Sequence, residues 1–183
     1  MLRRPLTRAL MIALAALTWP LAAAAQQWHE YKPDAAGYRI DMPGTPAARS
    51  QETKTAAGTA SYHSATVVVE QRSFMASHVV YPAGAAPTDP QKEFDRLREG
   101  QRRSGLVVRT GEPELGMVRD EKRFTLDGAP AIRLVIEKGD SIMSILAVLK
   151  ANILYQMIYV GPADSKTSPD IERFMASFAL VKS

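Results

Sequence analysis

The strongest constraint in this sequence is a set of three short turns spaced one strand apart. Asp127-Gly128 separates Glu121–Leu126 from Ala131–Glu137. Lys138-Gly139-Asp140 then leads into Ile142–Leu149, and Lys150-Ala151-Asn152 leads into Ile153–Val160. Asp-Gly between two apolar runs is a strong hairpin signal, because both turn residues tolerate positive φ. Links this short join only antiparallel neighbours, since a parallel pair needs a crossover of a dozen or more residues. The stretch therefore predicts a four-stranded meander. Leu, Ala and Met in Ile142–Leu149 also suit a helix, but eight residues bounded by turns favour a strand buried on both faces.

Upstream, Tyr38, Ile40 and Met42 alternate with Arg39 and Asp41, the pattern of a half-buried strand, and Trp28–Tyr31 reads as a short first strand. Pro43-Gly44-Thr45-Pro46 ends the second strand, and the polar stretch Ala47–Thr59 is expected as an exposed strand or loop. Ala60–Val69 and Phe74–Tyr81 are rich in β-branched and aromatic residues, which predicts paired strands joined near Glu70–Arg72. Two helices have clear starts. Asp89 is placed to cap a helix that begins at Pro90, with Phe94, Leu97 and Gln101 on one face. Ser168-Pro169-Asp170 opens another, with Ile171, Phe174, Met175 and Phe178 at helical spacing.

Charge matters chiefly at the N-terminus. The chain of 183 residues carries 23 Lys+Arg against 19 Asp+Glu, a net +4. Arg3, Arg4 and Arg8 precede the apolar run Ala9–Leu17, which is followed by Ala23-Ala24-Ala25. A charged start, a short apolar stretch and an Ala-x-Ala site predict a secretory signal peptide over residues 1–25. Without those three arginines, 20 basic side chains face 19 acidic ones and the mature chain is close to neutral. A nucleic-acid partner is not expected from that balance, nor any membrane contact beyond the leader before cleavage. The absence of cysteine excludes a disulfide scaffold, a thiol nucleophile, a Cys-ligated metal and a lipidated Cys. The expected product is a soluble periplasmic or secreted protein with one domain over 26–183.

Few residues offer chemistry. Gly139-Asp140-Ser141 matches the core of an esterase nucleophile block, but no histidine follows His78 to take the serine proton, so an ordinary turn is expected. Glu112, Glu114, Asp120 and Glu121 are expected as solvated carboxylates rather than an acid–base pair. Trp28, Tyr31 and Tyr38 are expected to seal the first strands to the sheet rather than stack on a ligand. Arg96, Arg98, Arg102, Arg103 and Arg109 are diluted by Asp95 and Glu99, as on a solvated helix face. The weak metal candidate is His63 with His78. A two-residue Glu70-Gln71 turn pairs positions summing to 141, which sets these histidines opposite one another with Cβ atoms about 5 Å apart. Cu²⁺ or Zn²⁺ is the ion such a pair would take. Idle histidines are the default expectation, with no catalytic residue and no cofactor.

Trp28–Tyr31, then Gly37-Tyr-Arg-Ile-Asp-Met-Pro-Gly-Thr-Pro46, resemble the start of exported bacterial proteins of the PsbP-like family. Asp127-Gly-Ala-Pro-Ala-Ile-Arg-Leu134 resembles their hairpin, and Leu154–Pro162 with Ser177-Phe-Ala-Leu180 resembles their closing strand–helix–strand. The resemblance implies an α+β single domain, an antiparallel sheet covered by helices on both faces in a PsbP-like αβα sandwich. Better-known relatives are accessory subunits of the photosynthetic oxygen-evolving complex and a nuclear-transport factor that binds Ran. The implied function is a non-enzymatic periplasmic accessory or binding module of the cell envelope. Its partner would be an unknown envelope protein or small ligand. The alternative is an uncharacterised hydrolase or metal-dependent enzyme with a loop-assembled site.

Overall fold

The computed structural model describes residues 27–34, 36–104 and 115–181. The expected leader at 1–25, and Arg109, Glu112 and Glu114, lie outside the described residues. The expected meander forms from β6 (Met117–Leu126), β7 (Ala129–Lys138), β8 (Ser141–Lys150) and β9 (Ile153–Pro162). Asp127 and Gly128 both take positive φ, 50° and 80°, which matches the turn twist to the strand twist. A second meander comprises β3 (Ala47–Thr55), β4 (Gly58–Val69) and β5 (Arg72–Val80). Pairing of β5 with β9 joins the two into one seven-stranded antiparallel sheet, in the order β3-β4-β5-β9-β8-β7-β6. From its second to its ninth residue β8 is buried without interruption, so both of its faces are covered. At the edges, β3 is exposed throughout, and β6 carries an irregularity between Val118 and Asp120 that discourages further pairing.

A small three-stranded sheet lies over one face: β1 (His29–Tyr31), β2 (Tyr38–Met42) and β10 (Ala179–Leu180), with β2 central. The alternation along β2 buries Tyr38, Ile40 and Met42 while Arg39 is exposed and Asp41 half-exposed. Helix α1 (Pro90–Arg103) is capped as expected. The Asp89 carboxylate accepts from the Gln91 and Lys92 amides at 2.9 and 3.3 Å. Helix α2 (Pro169–Ser177) starts at Ser168, whose hydroxyl accepts from the Asp170 amide, and buries Ile171, Phe174 and Met175. The Asp41 amide donates to the Ser177 hydroxyl at 2.9 Å, tying the end of α2 to β2. Among the described residues no helix is long and apolar enough to cross a membrane.

The sheet covered by helices on both faces is not what forms. Strand takes 56% of the described residues and helix 22%, and two helices with a second small sheet cover the large one. Dimensions explain the difference. Seven strands span about 29 Å across the hydrogen-bonding direction, whereas a helix is about 10–12 Å wide and a nine-residue one about 14 Å long. Helix α1 sends one wholly buried apolar side chain, Phe94, into Ile132, Leu134, Ile136, Met143 and Ile145. On the other face α2 covers only part of the sheet, and Tyr38, Ile40 and Met42 of the small sheet fill the rest against Phe74, Tyr155 and Tyr159.

Candidate functional site

The β4–β5 hairpin turns through Glu70 and Gln71, with Glu70 at φ 55° and Val69 paired with Arg72. That register places His63 directly across from His78. Their rings stack, with centroids 4.7 Å apart and planes 17° from parallel. On the next strand out, Ser50 faces His63, and its hydroxyl shares a 2.8 Å hydrogen bond with His63 Nδ1. On the inner side, the Tyr38 ring meets His78 edge-on at 5.7 Å, and Tyr155, its partner on β9, lies at 6.3 Å. His78 is only 7% exposed, and its Nδ1 is buried with no hydrogen-bond partner. A buried polar atom left without a partner costs about 1–3 kcal/mol, so sites like this are few in native folds.

Burial first, and the charge of His63 second, push the His78 imidazole down to about 4, so the ring is neutral near pH 7. Burial also raises the Tyr31 and Tyr155 phenols above their ordinary range, and raises Tyr38 further, with smaller contributions there from both neighbours. His78, Tyr31 and Tyr38 border an open cleft of about 410 Å³. Tyr31, Asp34 and Tyr38 line one side, from β1, β2 and the connection between them; Ser50, His63 and His78 line the other, from three adjacent strands.

The stacked arrangement answers the metal candidate. An ion shared by two nearly parallel imidazoles would sit well out of both ring planes, whereas the nitrogen lone pairs lie in those planes at about 2.0–2.1 Å from a bound ion. His63 Nδ1 is also engaged by Ser50. No group of three His, Asp or Glu gathers at a metal-holding distance among the described residues. The pair does not form a chelate in this arrangement.

The remaining candidates disperse. Gly139 and Asp140 form the β7–β8 turn, with Lys138 paired to Ser141 and the Asp140 carbonyl accepting from the Ala163 amide at 2.8 Å. Glu121 on β6 pairs with Arg98 at 3.1 Å and Arg123 at 2.8 Å; Asp120 is exposed. Arg96 pairs with Glu93, Arg98 with Asp95 and Arg102 with Glu99 within the helix, and Arg103 is exposed at its end. Trp28 seals β1 to the sheet, edge-on to Phe74 at 5.8 Å with Arg173 over its ring at 4.6 Å. Tyr31 and Tyr38, expected only to seal, also wall the cleft.

Ser50, Asp34 and Tyr155 have no counterpart among the residues singled out from sequence. For Ser50 a signal exists: a two-residue Ala56-Ala57 turn pairs Thr55 with Gly58 and carries Ser50 to His63. No comparable local signal places Asp34 or Tyr155 beside the pair. No family model matches the chain, and no curated protein matches it.

Proposed function

We propose that this chain is an exported, non-enzymatic binding module of the bacterial envelope whose ligand site is the cleft at the His63–His78 pair. The observation that carries this reading is a buried imidazole without a partner, set in the wall of an open cleft between two sheets. Keeping such a group lowers stability, so a role in binding gives a reason for its presence. The resemblance of the opening and closing segments to exported PsbP-like proteins points toward an accessory role, though the helix-covered sandwich it implied is absent. Export through the leader is part of the proposal: intact mass of protein recovered from the periplasm should place Gln26 first, and a retained Met1 would refute cleavage.

Native mass spectrometry of protein purified from the periplasm under gentle conditions tests the cleft. A small non-covalent adduct is expected on the wild type and not on the His78→Phe variant. A bare wild-type mass, or the same adduct on both, would overturn the assignment.

One observation favours a hydrolase as second reading. The Ser50 hydroxyl and His63 Nδ1 lie within the reach a nucleophile–base pair requires. No third side chain holds the other nitrogen of His63 among the described residues. A fluorophosphonate probe that labels Ser50, and loses that label in His63→Gln, would establish this second reading instead.

A further inference from the structure

The cleft brings together three groups whose chemical states are unlike. His78 has no hydrogen-bond partner at either ring nitrogen among the described residues. Its neutral imidazole therefore keeps one N–H and one lone pair unused, whichever tautomer it takes. Asp34, in the connection between β1 and β2, has no cation in ion-pair range among the described residues. Tyr31 adds an aromatic wall, and burial raises its phenol above the ordinary range. Arg49 also borders the cleft, yet it pairs with Ser64, one position out of phase with Ser50 and His63. Side chains alternate along a strand, so Arg49 leaves β3 on the opposite face.

From this set we infer that the cleft binds a small organic ammonium, an aliphatic or arylalkyl amine in its protonated form. The inference rests on the reading of the cleft as a ligand site. The ammonium nitrogen meets the Asp34 carboxylate and the face of an aromatic wall, beside an imidazole that stays uncharged. An anion fits poorly. Asp34 repels it, Arg49 leaves its strand on the face opposite Ser50 and His63, and His78 is kept from becoming a cation by its burial and by His63. A neutral ligand would shield the Asp34 carboxylate from water and return no charge to it. The volume lies near the lower end of the range for small-molecule sites, about 300–1,000 Å³, which suits a compact amine rather than a polymer.

Side-chain imidazole resonances of the ¹⁵N-labelled mature protein provide the readout. Three probes of matched shape are titrated separately: 2-phenylethylammonium, 2-phenylethanol and 3-phenylpropanoate. The expected result is saturable movement of the His63 and His78 signals with the ammonium, at an affinity about tenfold or more above the neutral probe. Asp34→Asn, a change at an exposed position, should remove that advantage while leaving the free-state spectrum intact. Equal or stronger binding of 2-phenylethanol or 3-phenylpropanoate would overturn the ammonium inference while leaving the cleft a ligand site. Unchanged ammonium affinity in Asp34→Asn would overturn it as well. No movement with any probe would also overturn it, and the native-mass experiment then decides separately whether the cleft binds anything.

Discussion

Several polar groups are buried against the seven-stranded sheet, and one on each side, Glu93 and His78, is handled in opposite ways. Under α1 the interior is mostly aliphatic, with Ile132, Leu134, Ile145, Leu149, Leu154 and Ile158 around Phe94. The buried carboxylate there is Glu93, 5% exposed, and it is fully engaged: the Tyr81 hydroxyl donates to it at 2.9 Å and Arg96 pairs with it. Under the small sheet and α2 the interior is aromatic, with Tyr38, Phe74, Tyr155, Tyr159, Phe174 and Phe178. The buried imidazole there is His78, nearly as inaccessible, and its Nδ1 is unengaged. The polar group beneath α1 holds a helix to a sheet. The other contributes no such bond, and it borders the cleft.

The largest effects should come from the apolar anchor of each face. Phe94 and Phe174 are both wholly buried, so truncation to Ala should lower stability by about 3–5 kcal/mol in either case. Urea unfolding measures this. A midpoint unchanged by Phe174→Ala would mean that α2 does not seat its apolar face on the sheet. A much smaller loss at Phe94 than at Phe174 would mean that α1 is the looser of the two layers.

A smaller effect separates the polar groups by sign. Glu93→Leu removes the partner of a half-buried phenol and of a guanidinium, and should destabilise by about 1–3 kcal/mol. His78→Phe removes a polar atom that had no partner and keeps a ring of similar size. It should leave stability within about 1 kcal/mol of wild type, or raise it. Comparable losses in both variants would abolish the contrast between the faces.

The parts of this architecture legible in sequence are those whose signals are local. Asp127-Gly128 announced its hairpin, and Asp89-Pro90 and Ser168-Pro169 announced both helices; the joint between Glu70 and Arg72 left the register of His63 and His78 open until the Val69–Arg72 pairing set it. What covers the sheet was not local. Alternation along Tyr38–Met42 says that one face of β2 is buried, but not against which element. Pairing of β10 with β2 joins Leu180 to Tyr38 across most of the chain, with two residues of β10 in the ladder and little periodicity to read. The site divides the same way. Its histidines face each other under one of the turns the sequence allowed; its other wall, Tyr31 to Tyr38, needed the small sheet to be in place.

The pH dependence of stability gives the finest test of the contrast, because it isolates His78. Its imidazole titrates at about 4 when folded, against 6.5 in an unconstrained chain. Between those values the unfolded chain binds the extra proton, so stability rises with pH across that window. The contribution is complete above about 6.5, is lost as pH falls toward 4, and changes no further below. The full shift sets a ceiling of about 3 kcal/mol, and the open cleft beside the ring lowers the expected loss to the order of 2 kcal/mol. Carboxylates held below their ordinary range act in a lower window. Hydrogen bonds from Arg123, Arg102 and Arg119 depress Asp95, Glu99 and Glu137 respectively, so their contributions fade only below about pH 4.5. Subtracting the profile of His78→Phe from that of wild type therefore leaves the histidine alone. A difference that slopes between pH 6.5 and 4 and is flat above is the expected outcome. A flat difference throughout would mean that the ring gains a partner or water when charged, and the two faces would then handle their buried polar groups alike.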